Sequence, residues 1–312
     1  MLSNGLSLLK IRKVFTRPDQ IAALLLFVLL IGLGFMAWQW RYQARVILSN
    51  LGYGLASYYL ATNQVATAAN VLQTSLDINL ESARAYNDLG YIYYRRGRPH
   101  EAWSAFVQAT EADPTFSTAY NNLGLSYLQT GQLDPARQAL QQAITFNPEN
   151  ASAWLNLGIG EQRAGRSQEA IRAYRSALRL DPRLTVAQVN LGLIYFAEGN
   201  FVEAEQYLTT SLQSQPNLSR LRIFRGAIAL HQGDQDRAWQ EFQAVQPDLD
   251  HDPLLHFYLG LWYEMAEMQE PAQEEFNKVL ALNPNGELAV LVQSHLTVLT
   301  MSKVDNKPLS TE

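Results

Sequence analysis

Two hydrophobic patterns divide this chain. From Gln20 to Trp40 there is no charged residue, and residues 21–38 read IAALLLFVLLIGLGFMAW. At about 1.5 Å of helical rise per residue, such a run matches the ~30 Å hydrocarbon slab of a bilayer. It predicts one transmembrane helix over 20–40, followed by a connector over 41–48. After residue 48 the pattern becomes a repeat. Gly90, Gly124, Gly158, Gly192, Gly226 and Gly260 stand 34 residues apart. Ala68, Ala102, Ala136, Ala170, Ala204, Ala238 and Ala272 keep the same beat. Self-similarity at this period predicts a solenoid of helix–turn–helix units over 49–286, with blocks starting near 49, 83, 117, 151, 185, 219 and 253. Each unit buries its apolar face only against its neighbours.

The spacing within a block has a physical reading. The helical glycine and the alanine of the second helix mark where two antiparallel helices press together. Gly97, Gly131, Gly165, Gly199 and Gly233 fall between the helices, where a positive φ suits glycine. Pro114, Pro148, Pro182, Pro216 and Pro284 stop the second helices. Pro99, Pro135 and Pro271 fall near second-helix starts, where proline is tolerated.

The block over 83–116 reads ARAYNDLGYIYYRRGRPHEAWSAFVQATEADPTF and resembles the tetratricopeptide repeat at Tyr86, Leu89, Gly90, Tyr93, Gly97, Ala102, Phe106, Ala109 and Pro114. The resemblance extends over roughly residues 49–286. It implies an all-α fold, a right-handed superhelical solenoid of about seven repeats, and the apolar run places one transmembrane helix before it.

Departures from the pattern mark special places. The first block has Ala56 for the helical glycine, Asn63 for the loop glycine and Leu80 for the proline, and it is expected to cap the stack. The sixth has Arg225 in place of leucine and an early Pro247. Residues 248–253 have no periodicity and are the expected bend or hinge. The seventh has Glu267 for the loop glycine. An amphipathic helix over 287–301 is expected to cover the last repeat, and 302–312 to form a disordered tail.

Charge sharpens the membrane reading. Lys10, Arg12, Lys13 and Arg17 lie in the short basic segment 1–19, and Arg41 and Arg45 follow the apolar run. The positive-inside rule then places the N-terminus in the cytoplasm and the solenoid in a periplasm or lumen. The margin of two charges leaves the opposite orientation open. A cleaved signal peptide has an apolar stretch of ~7–15 residues ending in a small-x-small site. This run is longer and closes on bulky residues 38–42, WQWRY, so an uncleaved anchor is expected. After residue 45 the chain holds 18 basic and 28 acidic residues, and that acidic body offers no nucleic-acid stripe.

Catalysis finds no support. There are no cysteines, no phosphate-cradling glycine loop and no HExxH. Gly158-Ile159-Gly160 belongs to the repeat. His251, Asp252 and His256 are close in sequence, but a spacing of five does not put both histidines on one helical face. No enzyme activity, cofactor or metal is expected.

The resemblance points to the partner surface. In the tetratricopeptide family the first helix of each unit lines a concave groove. The family's groove positions fall on the fifth, sixth, ninth, twelfth and thirteenth residues of a block. The sixth gives Asp88, Asn122, Asn156 and Asn190. An asparagine amide both donates and accepts, so it can pair with the backbone of any peptide. Similar asparagine ladders line the groove in protein-glycosylating enzymes of this repeat family. The competing reading is that these amides hold neighbouring helices together. Leu125, Ile159, Leu193, Leu128 and Phe196 make the same surface partly apolar, and Arg95 and Arg163 add charge at its edge. The aliphatics have their own alternative, packing between repeats. The groove lysines with which chaperone-binding relatives clamp a carboxylate are missing: lysine occurs only at 10, 13, 278, 303 and 307.

The expected function is a membrane-anchored scaffold or assembly factor that holds protein clients, themselves membrane proteins or membrane-proximal segments. One span, several repeats and few lysines look like cyanobacterial proteins of this type, whose relatives help assemble photosystems or position pigment-synthesis enzymes at thylakoid membranes. Two alternatives stay open. One is a non-catalytic subunit of a secretion or cell-envelope machine. The other is a regulator that recruits an enzyme to the membrane.

Overall fold

The computed structural model describes residues 18–78 and 82–305, with side chains at 18–25, 49 and 301–305 left aside. The basic residues 10–17, Leu80 and residues 306–312 of the expected tail lie outside the described residues. Every described element is a helix. The chain divides into two compact units, 1–147 and 148–312.

The first unit holds α1 (Pro18–Ala61), α2 (Val65–Ile78), α3 (Ala83–Arg95), α4 (Pro99–Ala112), α5 (Ser117–Gln129) and α6 (Leu133–Phe146). They pack as the pairs α1–α2, α3–α4 and α5–α6. The second unit holds α7 (Ala151–Arg163), α8 (Ser167–Leu180), α9 (Thr185–Ala197), α10 (Phe201–Ser214), α11 (Leu221–His231) and α12 (Gln235–Gln243). It continues with the single turn α13 (Gln246–Leu249), α14 (Pro253–Met265), α15 (Gln269–Leu282) and α16 (Glu287–Asp305). Here the pairs are α7–α8, α9–α10, α11–α12 and α14–α15, with α16 laid on α15.

The repeated small residues are the reason these helices pair closely. All seven alanines of the 34-residue series are fully buried. A Cβ built on Gly158 would lie 2.6 Å from the ring of Tyr174, and one on Gly260 would lie 2.4 Å from the ring of Phe276. The loop positions require a left-handed backbone even where glycine is absent. Asn63 and Glu267 both adopt φ of 60°, beside 68–78° at the five loop glycines. Asparagine tolerates this conformation, whereas glutamate carries its steric cost.

Helix α1 runs unbroken for 44 residues, roughly 66 Å, through the expected span, the connector and the first helix of repeat one. Among the described residues no helix is long and apolar enough to cross a membrane. The side chains of residues 20–25, the start of the expected span, lie outside those described. From Leu26 to Trp38 the large apolar side chains are exposed.

Two departures are compensated. Arg225, standing where leucine is usual, reaches Glu241 on α12 at 2.9 Å, and Arg222 reaches the same carboxylate at 3.0 Å. A buried acid thus answers two partly exposed bases. The expected hinge at 248–253 is tied down instead. It contains the end of α13, Asp252 pairs with Arg220 at 2.8 Å, and the buried His256 ring meets the Asp250 carbonyl at 2.6 Å. Asp252 also caps α14, its carboxylate accepting from the Leu254 N–H. At the C-terminus, α16 continues to Asp305, four residues past the expected helix end.

Candidate functional site

The asparagines are engaged with the protein itself. In the first unit Asn121 Nδ2 donates to Asn122 Oδ1 (3.3 Å), and Asn122 Nδ2 donates to Asn87 Oδ1 (2.8 Å). Asn87 Nδ2 then donates to the Asp88 carboxylate (3.2 Å). The chain of amides links the first helices of adjacent repeats, α3 and α5. Burial raises the Asp88 carboxyl above its ordinary value, against the lowering effect of hydrogen bonds from Asn87 and Tyr53. In the second unit Asn190 Nδ2 donates to the Tyr174 hydroxyl (3.0 Å), which donates to Gln162 Oε1 (2.7 Å). Burial pushes the Tyr174 phenol up. Asn156 is half-buried on α7.

The apolar candidates are placed unevenly. Leu125 is half-buried on α5. Ile159, Leu193 and Phe196 are partly buried and pack against the core of the second unit. Leu128 is 3% exposed and is no part of the surface. It follows Gly124 by one helical turn, on the face that Leu140 of α6 presses against, and so turns inward. Arg95 and Arg163 are exposed at the ends of α3 and α7.

Another opening lies away from these candidates. Between α11 and α14 an open cavity of about 550 Å³ is lined by Ala227, Leu230, His231, Tyr258, Leu261, Glu264 and Met265. Ala227, Leu230 and His231 are the ninth, twelfth and thirteenth residues of the block from 219. Tyr258, Leu261, Glu264 and Met265 are the sixth, ninth, twelfth and thirteenth of the block from 253. The same register that nominated the asparagines nominates these positions; the asparagine column ends at repeat five and drew attention away from them. Small Ala227 makes the room. Met265 is 45% exposed at the rim, a flexible, polarisable side chain that adapts to a bound surface. The polar wall is set by Glu264, whose carboxylate pairs with His295 of α16 at 2.8 Å. The His231 ring lies tilted against Phe201, centroids 4.3 Å apart, and Phe201 joins Phe196 and Phe224 in an aromatic run along α9–α11. Nothing in this opening is a nucleophile paired with a base. Among the described residues no group of three or more acidic or histidine side chains gathers where a metal could sit.

Comparison with known proteins agrees with the repeat fold. The family described as cilia and flagella-associated protein 70 C-terminal domain, a tetratricopeptide-repeat domain, matches residues 30–256. The chain belongs to this tetratricopeptide-repeat family. No curated protein matches it. Among solved structures, Pseudomonas aeruginosa pilF is 23% identical at a TM-score of 0.57, with 66% of this chain and 92% of that one covered. PilW, a type IV pilus biogenesis factor, is 19% identical at a TM-score of 0.58, covering 67% and 96%. A tetratricopeptide repeat protein from Parabacteroides merdae is 17% identical at a TM-score of 0.53, covering 81% and 99%. At these identities the likeness is one of fold. Tetratricopeptide arrays generally work as protein-interaction scaffolds.

Proposed function

We propose that this tetratricopeptide-repeat protein is a non-catalytic, membrane-anchored scaffold that holds segments of client proteins on the first-helix faces of its repeats. The observation that carries the reading is the α11–α14 cavity. It combines apolar walls with a few fixed polar groups, the composition that recognition pockets share. The exposed apolar length of α1 ahead of the first repeat supports the anchor, and a short anchor-to-repeat distance favours clients that are themselves in or near the membrane. Charge balance favours a solenoid on the extracytoplasmic side. Photosynthetic membrane complexes are the client class nominated by the resemblance to cyanobacterial proteins. The asparagines act as ties between neighbouring repeats, not as the client surface.

A crosslinked capture from native membranes tests the proposal. The His231→Glu/Met265→Glu variant changes two exposed rim residues and is expected to lose at least ten-fold of the clients captured by wild type. The triple variant Asn122→Ala/Asn156→Ala/Asn190→Ala is expected to melt at lower temperature yet keep the same client set. Unchanged capture by the rim variant, or loss confined to the asparagine variant, would move the binding surface away from the cavity.

A further inference from the structure

Repeat one leaves open the face that other repeats close. In α3, Ala85, Leu89 and Ile92 occupy the third, seventh and tenth positions of their block and are 0%, 4% and 1% exposed. They are covered by Ala68, Leu72 and Leu76 of α2, in one buried cluster. The arrangement recurs. Leu123 of α5 clusters with Ala102 and Phe106 of α4, and Ala187, Leu191 and Ile194 of α9 with Ala170, Ile171 and Tyr174 of α8. Leu255 and Leu259 of α14 cluster likewise with Ala238 and Phe242 of α12. In repeat one the same positions are Leu51, Leu55 and Tyr58, and they are 66%, 46% and 60% exposed. Ile47 and Leu48 extend the stripe by another turn, also exposed. The side facing α2 is satisfied, since Ala56 is fully buried there. A capping repeat would carry a polar outer face. This first repeat does not, so the expected cap is instead an open end.

We infer that the outer face of α1 over residues 47–58 receives one amphipathic helix of a partner protein, laid antiparallel to α1 as a repeat's second helix lies on the next repeat. The molecule itself supplies the template for the occupant. Of the helices that cover the equivalent faces, α2, α4, α8 and α10 are each 14 residues long, and only the shorter α12, of 9 residues, departs from this among those named. They place a buried alanine four residues before a large buried side chain: Ala68 and Leu72, Ala102 and Phe106, Ala170 and Tyr174, Ala204 and Leu208. Charge selects the orientation and one end of the partner. From residue 20 to 76 the only charged residues are Arg41 and Arg45, both exposed and neither in an ion pair among the described residues. They lie on the membrane-proximal side of the stripe. An antiparallel occupant brings its C-terminal turn there, where the negative end of the helix dipole and acidic side chains meet two arginines. The inference goes beyond the client cavity, which lies on different helices in the other unit.

The absence of cysteine makes the test clean. The full chain, in lipid nanodiscs, carries a single cysteine as Leu51→Cys or Tyr58→Cys. The probe is a synthetic peptide with the α2 sequence Val65–Ile78 followed by Asp-Glu-Cys. Under mild oxidation, Leu51→Cys is expected to couple to the peptide at least ten-fold faster than Tyr58→Cys, because the peptide's C-terminus lies at the Leu51 end. A peptide with the cysteine moved to its N-terminus reverses the preference. Adding Leu55→Glu abolishes coupling, and Arg41→Glu/Arg45→Glu slows it several-fold. A Leu51→Cys homodimer as the main product would make a second copy the occupant and overturn the inference. So would equal coupling to a scrambled peptide, or protection of both cysteines by the nanodisc lipid.

Discussion

Tyr174→Ala is expected to cost about 3–5 kcal/mol, the range for removing a fully buried aromatic side chain. The side chain is 0% exposed, and its ring fills the space that Gly158 leaves on the partner helix. Its hydroxyl is the joint between Gln162 on α7 and Asn190 on α9. Truncation therefore opens a cavity and strands two amides in a half-buried place, each of which then lacks the partner it was desolvated to meet. Tyr174→Phe separates the two effects. It keeps the ring and loses only the hydroxyl, for an expected cost of about 1–2 kcal/mol. Denaturant unfolding of the full chain, read beside amide exchange in α7–α10, distinguishes local loss from global loss in a repeat array. If the alanine variant is no less stable than the phenylalanine variant, the reading of the glycine series as slots for aromatic and leucine side chains is wrong.

The second large effect belongs to His256 and Glu275. The His256 ring is 1% exposed and meets the Glu275 carboxylate at 2.5 Å. Lys278 completes the site, 2.8 Å from the same carboxylate. The hydrogen bond to Glu275 raises the His256 imidazole above its ordinary value of 6.5, against the opposing effect of burial. Burial pushes the Glu275 carboxyl up, but hydrogen bonds from His256 and Lys278 outweigh it and leave it below its ordinary 4.5. The sign follows. A raised imidazole contributes stability that is complete below about pH 6.5 and is lost as pH rises through its folded value. A lowered carboxyl contributes stability that is complete above about pH 4.5 and is lost as pH falls through its folded value. The pair is therefore worth most between these two values, and the protein is expected to melt at a lower temperature at pH 8 than at pH 6. His256→Ala leaves the acid buried with only Lys278 beside it and is expected to cost about 3–5 kcal/mol, as breaking a buried pair does. Glu275→Gln keeps the shape but removes the group that raises the imidazole, leaving burial to lower it, so the fall in melting temperature from pH 6 to pH 8 is expected to disappear. A wild-type melting temperature that rises over that range would contradict the assignment.

These residues also show where the sequence was legible. The 34-residue beat places helix starts at Ala83, Ser117, Ala151, Thr185 and Pro253, because glycine and alanine spacing states which helix faces meet. At 219 the helix begins two residues later, after a turn over Ser219–Arg220. Asn63 and Glu267 were readable as loop residues because a turn of fixed length demands a positive φ there whatever the side chain. The polar partners were not readable. Nothing in one block states that Asn122 reaches Asn87 of the block before it, or that Asn190 reaches the Tyr174 hydroxyl, since those bonds depend on the rotation between neighbouring helices. Leu128 went astray for the same reason, its position being fixed by how far α5 is rolled toward α6. The open outer face of repeat one was present in the pattern as Leu51, Leu55 and Tyr58. It becomes visible only when their exposure is set beside that of Ala85, Leu89 and Ile92.

The most direct test of the scaffold account is amide hydrogen exchange of the full chain with and without a captured client. The account predicts new protection in α11 and α14, around Ala227–His231 and Leu261–Met265, and none at those sites in the His231→Glu/Met265→Glu variant. Protection confined to other helices, or the same protection in the variant, would contradict it.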